Sequence, residues 1–213
     1  FVAGQNQLLD VSAKPNGTWN FTTINLPADR SLGFYRNPMN LPVRMLASGS
    51  VTINGRIEVS GEAGRKWFDG SEAPRGGPGG FQGGLGGEPH IPGGTYAGSP
   101  GLGPGGGRAG IGAGEPGQPG RYSSVYGNPM LEPLLGGSGG GGNGSGDGIY
   151  GESGGGGGGA VLIASSKDIV IGGQIFANGG SGFGGSPSGS GGGIRIRGDR
   201  VTLSSAGSLR AVP

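Results

Sequence analysis

The 213-residue chain has no cysteine and only one histidine, His90. The first absence excludes disulfides, thiolate catalysis and cysteine metal sites together. The second argues against a histidine-based metal centre or a nucleophile–histidine triad. Charge is also scarce, at 13% of residues with a formal net charge of +2. The 12 Arg and 3 Lys are scattered without a basic block, so the nominal excess of base is not a nucleic-acid footprint. No apolar run is long enough to span a bilayer, and membrane insertion is not expected. Hydrophobic residues make up only 31%, too few for an ordinary thick core. Disorder from low hydrophobicity normally comes with high net charge, which is missing here. The chain starts at Phe1 with no methionine and no signal-peptide pattern, which fits a processed, exported protein and equally a fragment of a longer one.

What the chain does have is glycine, 59 residues of it, against a usual share of about 7%. Apolar blocks stand between the glycine runs, and they repeat. "VTINGRIEVSGEAG" (51–64) aligns without gaps on "IVIGGQIFANGGSG" (169–182), and "VTLSSAGSLRA" (201–211) and "INLPADRSLGF" (24–34) are the same unit with longer turns. The preceding segments "VRMLASGS", "VLIASSKD" and "IRIRGDR" match as well. Four coils follow, at about 19–36, 42–61, 160–180 and 193–211. A repeat of roughly 20 residues made of short strands and turns is the pattern of a stacked solenoid. One coil cannot bury its own apolar side; stacked coils bury like on like. The predicted inward columns are Val43, Val161 and Ile194; Met45, Ile163 and Ile196; Val51, Ile169 and Val201; and Ile57, Ile175 and Leu209. The predicted fold is all-β, a short parallel β-solenoid of about four coils. The alternative is an antiparallel β-sandwich, since three-residue turns also permit hairpins.

Between the second and third coils, Gly76 to Gly159 hold 38 glycines in 84 residues. A plain Gly/Ser tether would lack the prolines and the large residues found there, among them Phe81, Leu85, Tyr96, Tyr122 and Tyr126. "GGPGGF", "GGLGGE" and "GEPGQPGRY" run in threes. That period suits an extended helix of three residues per turn, with no internal hydrogen bonds. Where two of its faces are glycine, backbones can approach closely. A polyglycine-II-like layer packed on the solenoid is predicted. Collagen needs glycine at every third position without a break, and only "GEPGQPG" obeys. The expected division is an N-terminal strand-like arm at 1–18, two coils at 19–61, the glycine-rich insert at 62–159, and two coils at 160–213 with a short glycine loop at 181–192.

Chemical motifs are sparse. No P-loop ends the glycine runs in Lys-Ser/Thr. "GGNGSGDGI" (141–149) approaches the calcium nonapeptide, but Asp147 falls one place late and the motif does not recur. Asp29, Glu58 and Asp199 are dispersed in sequence and would have to meet in space to act as a carboxylate pair. No catalytic residue, metal ligand or cofactor is assigned, and the chain is read as a non-enzyme. "NGT", "NFT" and "NGS" at 16–18, 20–22 and 143–145 are formal glycosylation acceptors.

Two residue sets stand out. In the third coil the outward positions Leu162, Val170 and Phe176 are apolar, where the second and fourth coils place Arg, Thr and Glu. A strand apolar on both faces is usually covered on both, here by the insert or by another subunit. The arm carries Leu8, Leu9 and Val11, expected to dock on a neighbouring subunit by strand addition. These six are the candidate subunit-interface residues. Trp67 and Phe68 with Tyr96, Tyr122 and Tyr126 are candidate ligand or packing aromatics, either an exposed platform or an anchor for the insert.

The pairing of "AVLIASSKDIVIGGQIFANGG" with "VTINGRIEVSGEAG" around a glycine-rich insert resembles the large glycine-rich secreted or surface proteins of bacteria, with their repeating I-x-I-x-G-x-I-x-A-N-G-G units. The likeness covers about Trp19 to Ala211 and implies export and a β-solenoid-like body. Phage tail-fibre tip adhesins are similar in having a glycine insert with aromatic tips; glycine-rich antifreeze proteins lack the strand blocks. The function expected is a structural subunit of an extracellular homopolymeric fibre or surface layer. It would assemble by strand addition and glycine-mediated backbone packing, with further copies of itself as partner. The alternative is a surface or phage-type adhesin that binds a glycan, such as a surface polysaccharide, or a receptor through aromatic tips.

Overall fold

The computed structural model describes residues 6–35, 39–66, 72–89, 97–112, 114–118, 126–146 and 149–213. Its strands are β1 (Gln7–Asp10), β2 (Thr18–Phe21), β3 (Ile24–Leu26), β4 (Ser31–Tyr35), β5 (Val43–Ala47), β6 (Val51–Ile53), β7 (Arg56–Glu58), β8 (Ala160–Ser165), β9 (Ile169–Ile171), β10 (Gln174–Phe176), β11 (Gly193–Arg197), β12 (Val201–Leu203) and β13 (Ser208–Arg210). They form three sheets in the orders β1-β4-β7-β10-β13, β11-β8-β5-β2 and β12-β9-β6-β3. Every ladder among these strands is parallel, which removes the antiparallel sandwich. Each successive trio from β2 onward is one coil of a short parallel β-solenoid.

The register is that of the repeat. Val43 pairs with Val161 and Val161 with Ile194; Val51 with Ile169 and Ile169 with Val201; Ile57 with Ile175 and Ile175 with Leu209. Pairing of like with like fixes the register, because a slip by one residue would turn every inward side chain outward. Met45, Ile53, Ile57, Ile163, Ile171 and Ile175 are fully buried in this core. The corners stack too. A side chain at Gly55 would overlap the carbonyl oxygens of Pro27 and Arg30, and one at Gly173 that of Gly55.

The glycine-rich chain grows out of the ends of the rungs, leaving β7 and β10 and entering β8 and β11, and its described runs are bonded to one another. In run 151–160 the amides of residues 153, 156 and 159 donate to Arg65, Glu62 and Val59, those of 154, 157 and 160 to Gly84, Phe81 and Pro78, and those of 155 and 158 to Pro187 and Ser190. The donors rotate among three neighbours with a period of three, and each set of acceptors also steps by three. This is the pattern of a threefold extended helix whose hydrogen bonds all go to other chains of the bundle. Runs 137–143 and 177–180 and the segment around Arg75 press on the remaining sides of 151–160, so that six runs surround one. A methyl group at Gly155 would overlap the Gly180 oxygen, at Gly156 that of Arg75, and at Gly157 that of Gly137. The hydrogen that takes its place is aimed at that oxygen, the geometry of a Cα–H···O contact. Runs 59–65, 177–182 and 186–193 belong to this lattice as much as the long insert does.

Candidate functional site

The two ends of the stack are built differently. At the first, β1 adds a partial rung to β4, and two short 3-10 turns, Val11–Ala13 and Pro15–Gly17, lead from it into β2. Asp10 starts the first turn: its Oδ1 accepts the Ser12 amide at 2.8 Å and the Ser12 hydroxyl at 2.7 Å. Those bonds hold the Asp10 carboxyl below the ordinary carboxylate range, the side-chain bond most and the backbone bond next. Val11 is fully buried, Leu9 packs on the core, and the rings of Trp19 and Phe34 meet at 5.8 Å. Under this cover Ile24, Leu26 and Leu32 of the first coil are buried.

The other end has no such cover. Val201, Leu203 and Leu209 continue columns in which Ile169, Ile171 and Ile175 are 0% exposed, yet they are 46%, 50% and 42% exposed. Strands β11, β12 and β13 each pair on one side only. The outward positions of this coil are basic. Arg195, Arg197, Arg200 and Arg210 stand against a single acid, Asp199, and Arg195 forms an ion pair with Glu132 of the insert. The open end therefore offers a ring of unpaired strand edges, an apolar interior and a positively charged rim. Such edges are templates for pairing with another chain.

The sequence-predicted residues distribute as follows. Leu9 and Val11 are engaged within their own chain, because β1 pairs with β4 and adds a partial rung there, while β2 and β3 remain edge strands; Leu8 points outward and is exposed. Leu162 lies in its ladder between Arg44 and Arg195 and is half-buried. Phe176 lies beneath two guanidinium groups, Arg56 at 4.6 Å and Arg210 at 5.8 Å, a cation–π arrangement. Val170 is exposed. The apolar outer face of the third coil is thus partly screened by arginines of the flanking coils, whose stems lie over apolar surface. Tyr126 is tied into the glycine body: its hydroxyl donates to the Gly136 oxygen at 2.8 Å and accepts from Ser138 at 3.0 Å. Trp67, Phe68, Tyr96 and Tyr122, with His90 and Asp147, lie outside the described residues. Asn143 of the third sequon is buried, and its Oδ1 accepts the Gly117 amide at 2.8 Å.

The dispersed carboxylates do not converge. Asp29 pairs with Arg30 at the β3–β4 corner, Glu58 with Arg56 on β7, and Asp199 sits at the β11–β12 corner at the far end of the stack. Among the described residues no three metal-ligating side chains come together, and no helix is long and apolar enough to cross a membrane. Sequence reasoning expected unpaired strand edges at the ends of a short solenoid, and the structure shows them at β11, β12 and β13. No protein-family model, curated protein or solved structure matches the chain.

Proposed function

We propose that the protein is a non-enzymatic structural subunit that polymerises end to end through its solenoid, as part of an extracellular fibre or surface layer. The observation that carries this reading is the exposure of Val201, Leu203 and Leu209 in columns buried everywhere else. A second copy that adds its strands to β11, β12 and β13 covers those residues and extends all three sheets. Pairing two open ends brings the arginine rims together, whereas the first end is balanced, with Asp10 and Asp29 beside Lys14 and Arg30. Charge therefore favours head-to-tail contact, a heterologous interface that does not close and so builds a filament. The resemblance to glycine-rich bacterial surface proteins supports the extracellular setting.

Sedimentation velocity and electron microscopy of the full chain across concentration test this. The expected result is growth of linear assemblies with concentration, abolished by Leu203→Asp, while circular dichroism stays that of the parent. A chain that stays monomeric at the highest attainable concentration, or a Leu203→Asp variant that assembles like the parent, overturns the proposal.

A further inference from the structure

The outer face of β7, β10 and β13 carries a charged and aromatic group that lies outside the solenoid core. Two outward rows run in register across these strands, Arg56–Gln174–Ser208 and Glu58–Phe176–Arg210. The half-buried ring of Phe176 carries guanidinium groups from the strands on either side, Arg56 at 4.6 Å and Arg210 at 5.8 Å. Glu58 fixes the first of these. Its Oε2 accepts Nε of Arg56 at 3.0 Å, and its Oε1 accepts the Ser60 amide at 3.1 Å. Arg210 has no such partner: among the described residues it makes no ion pair. Arg56, Gln174 and Arg210 are exposed, and described residues flank all three strands, at 54–60, 172–178 and 206–212. After β13, Val212 bonds to Asn178 and Gly179, so the chain there turns toward the glycine body and away from this face.

We infer that this face binds an acidic polysaccharide laid along the solenoid axis, with carboxylates of alternate sugars held by Arg56 and Arg210. Stacking on one ring restricts both guanidinium groups, so less freedom is lost when they take an anion. Arg56 turns Nε and Nη2 to Glu58 and keeps Nη1 for a ligand. Arg210 offers its whole fork of donors. The two arginines start from strands two rungs apart, roughly 10 Å at ~4.8 Å per rung. A single carboxylate engages only one of them. An extended 1,4-linked glycan advances by about one rung per sugar, so every second acid group falls at that interval. The sugar between them lies over β10, where the edge of Phe176 gives apolar contact and the Gln174 amide both donates and accepts. The face carries two arginines against Glu58, a surplus that complements a polyanion. The chain has no basic block of the kind a nucleic-acid backbone calls for.

Calorimetric titration of the full chain with a 1,4-linked oligogalacturonate tests this. Galacturonic acid, a neutral 1,4-linked oligogalactoside and single-stranded DNA serve as comparison ligands. The acidic oligomer is expected to bind roughly tenfold or more tightly than any of the three, and to weaken as salt rises. Arg210→Gln is expected to weaken its binding by roughly tenfold and Phe176→Leu by roughly threefold, with circular dichroism that of the parent. Lys167→Gln removes an exposed charge at the β8–β9 corner, away from this face, and should leave binding nearly unchanged. No binding at millimolar oligomer, equal or tighter binding of a comparison ligand, unchanged binding by Arg210→Gln, or an equal loss in Lys167→Gln overturns the inference and leaves the open-end reading standing.

Discussion

The coils and the glycine body are both dense interiors, but they are filled with different matter. In the coils the inside is side chain: Ile, Val, Leu and Met in register, each buried against its like in the next rung. In the glycine body the inside is main chain, with carbonyl oxygens where a β-carbon would stand. The coils gain stability by taking apolar area out of water, at roughly 25 cal/mol per Å². The body has little such area, and its cohesion rests on amide bonds in three directions and on close backbone contact. Glycine has the most conformational freedom to lose, so each run is ordered only because its neighbours are.

Opposite substitutions should therefore break the two regions. The largest effect is expected for Gly155→Ala at the centre of the lattice. Its methyl meets backbone rather than a movable side chain, so the cost should reach ~3 kcal/mol or more, as for severe overpacking. Hydrogen exchange should show lost protection across 137–143, 177–180 and 187–190 together, with the coils still protected. If protection is lost only at residue 155, the lattice is not cooperative. Next comes Ile163→Ala in the coils, which removes a buried side chain and should lower unfolding free energy by ~2–5 kcal/mol in denaturant titration. The two costs should add if the regions are independent, and their shortfall measures the coupling between them.

The smallest effect sharpens the contrast between the ends. Asp10 has a lowered folded-state pKa, so its contribution is present above its unfolded value and lost as pH falls through the folded one. The side chain is fully exposed and the increment is small. Acid titration of stability should show it in the parent and not in Asp10→Asn, which keeps the acceptor oxygen without the charge. An identical acid limb in both proteins would mean that the carboxylate charge does not support the first end.

Much of this architecture was legible because side chains carry register. The gapless match of 51–64 on 169–182 places Val51 beside Ile169 and Ile57 beside Ile175, and the ladders follow it. The triplet spacing of "GGPGGF" and "GGLGGE" announced threefold runs for the same reason: Phe81 and Leu85 mark the faces that are not glycine. The covering of Phe176 was not legible, because Arg56 and Arg210 come from coils on either side of it and 120 and 34 residues away. Nor was the engagement of Leu9 and Val11 within their own chain. A short apolar strand pairs equally with its own sheet or with a neighbour's, and only the position of β4 decides between them.

The sequence by itself determined the coil count, the inward columns and the three-residue period of the glycine runs, because each is written in the spacing of residues that have side chains. Which glycine run lies against which, whether the strands pair in parallel, and where six neighbours close around one, only the tertiary structure decided. A residue without a side chain presents the same backbone to every neighbour, so its position is set by the runs that surround it.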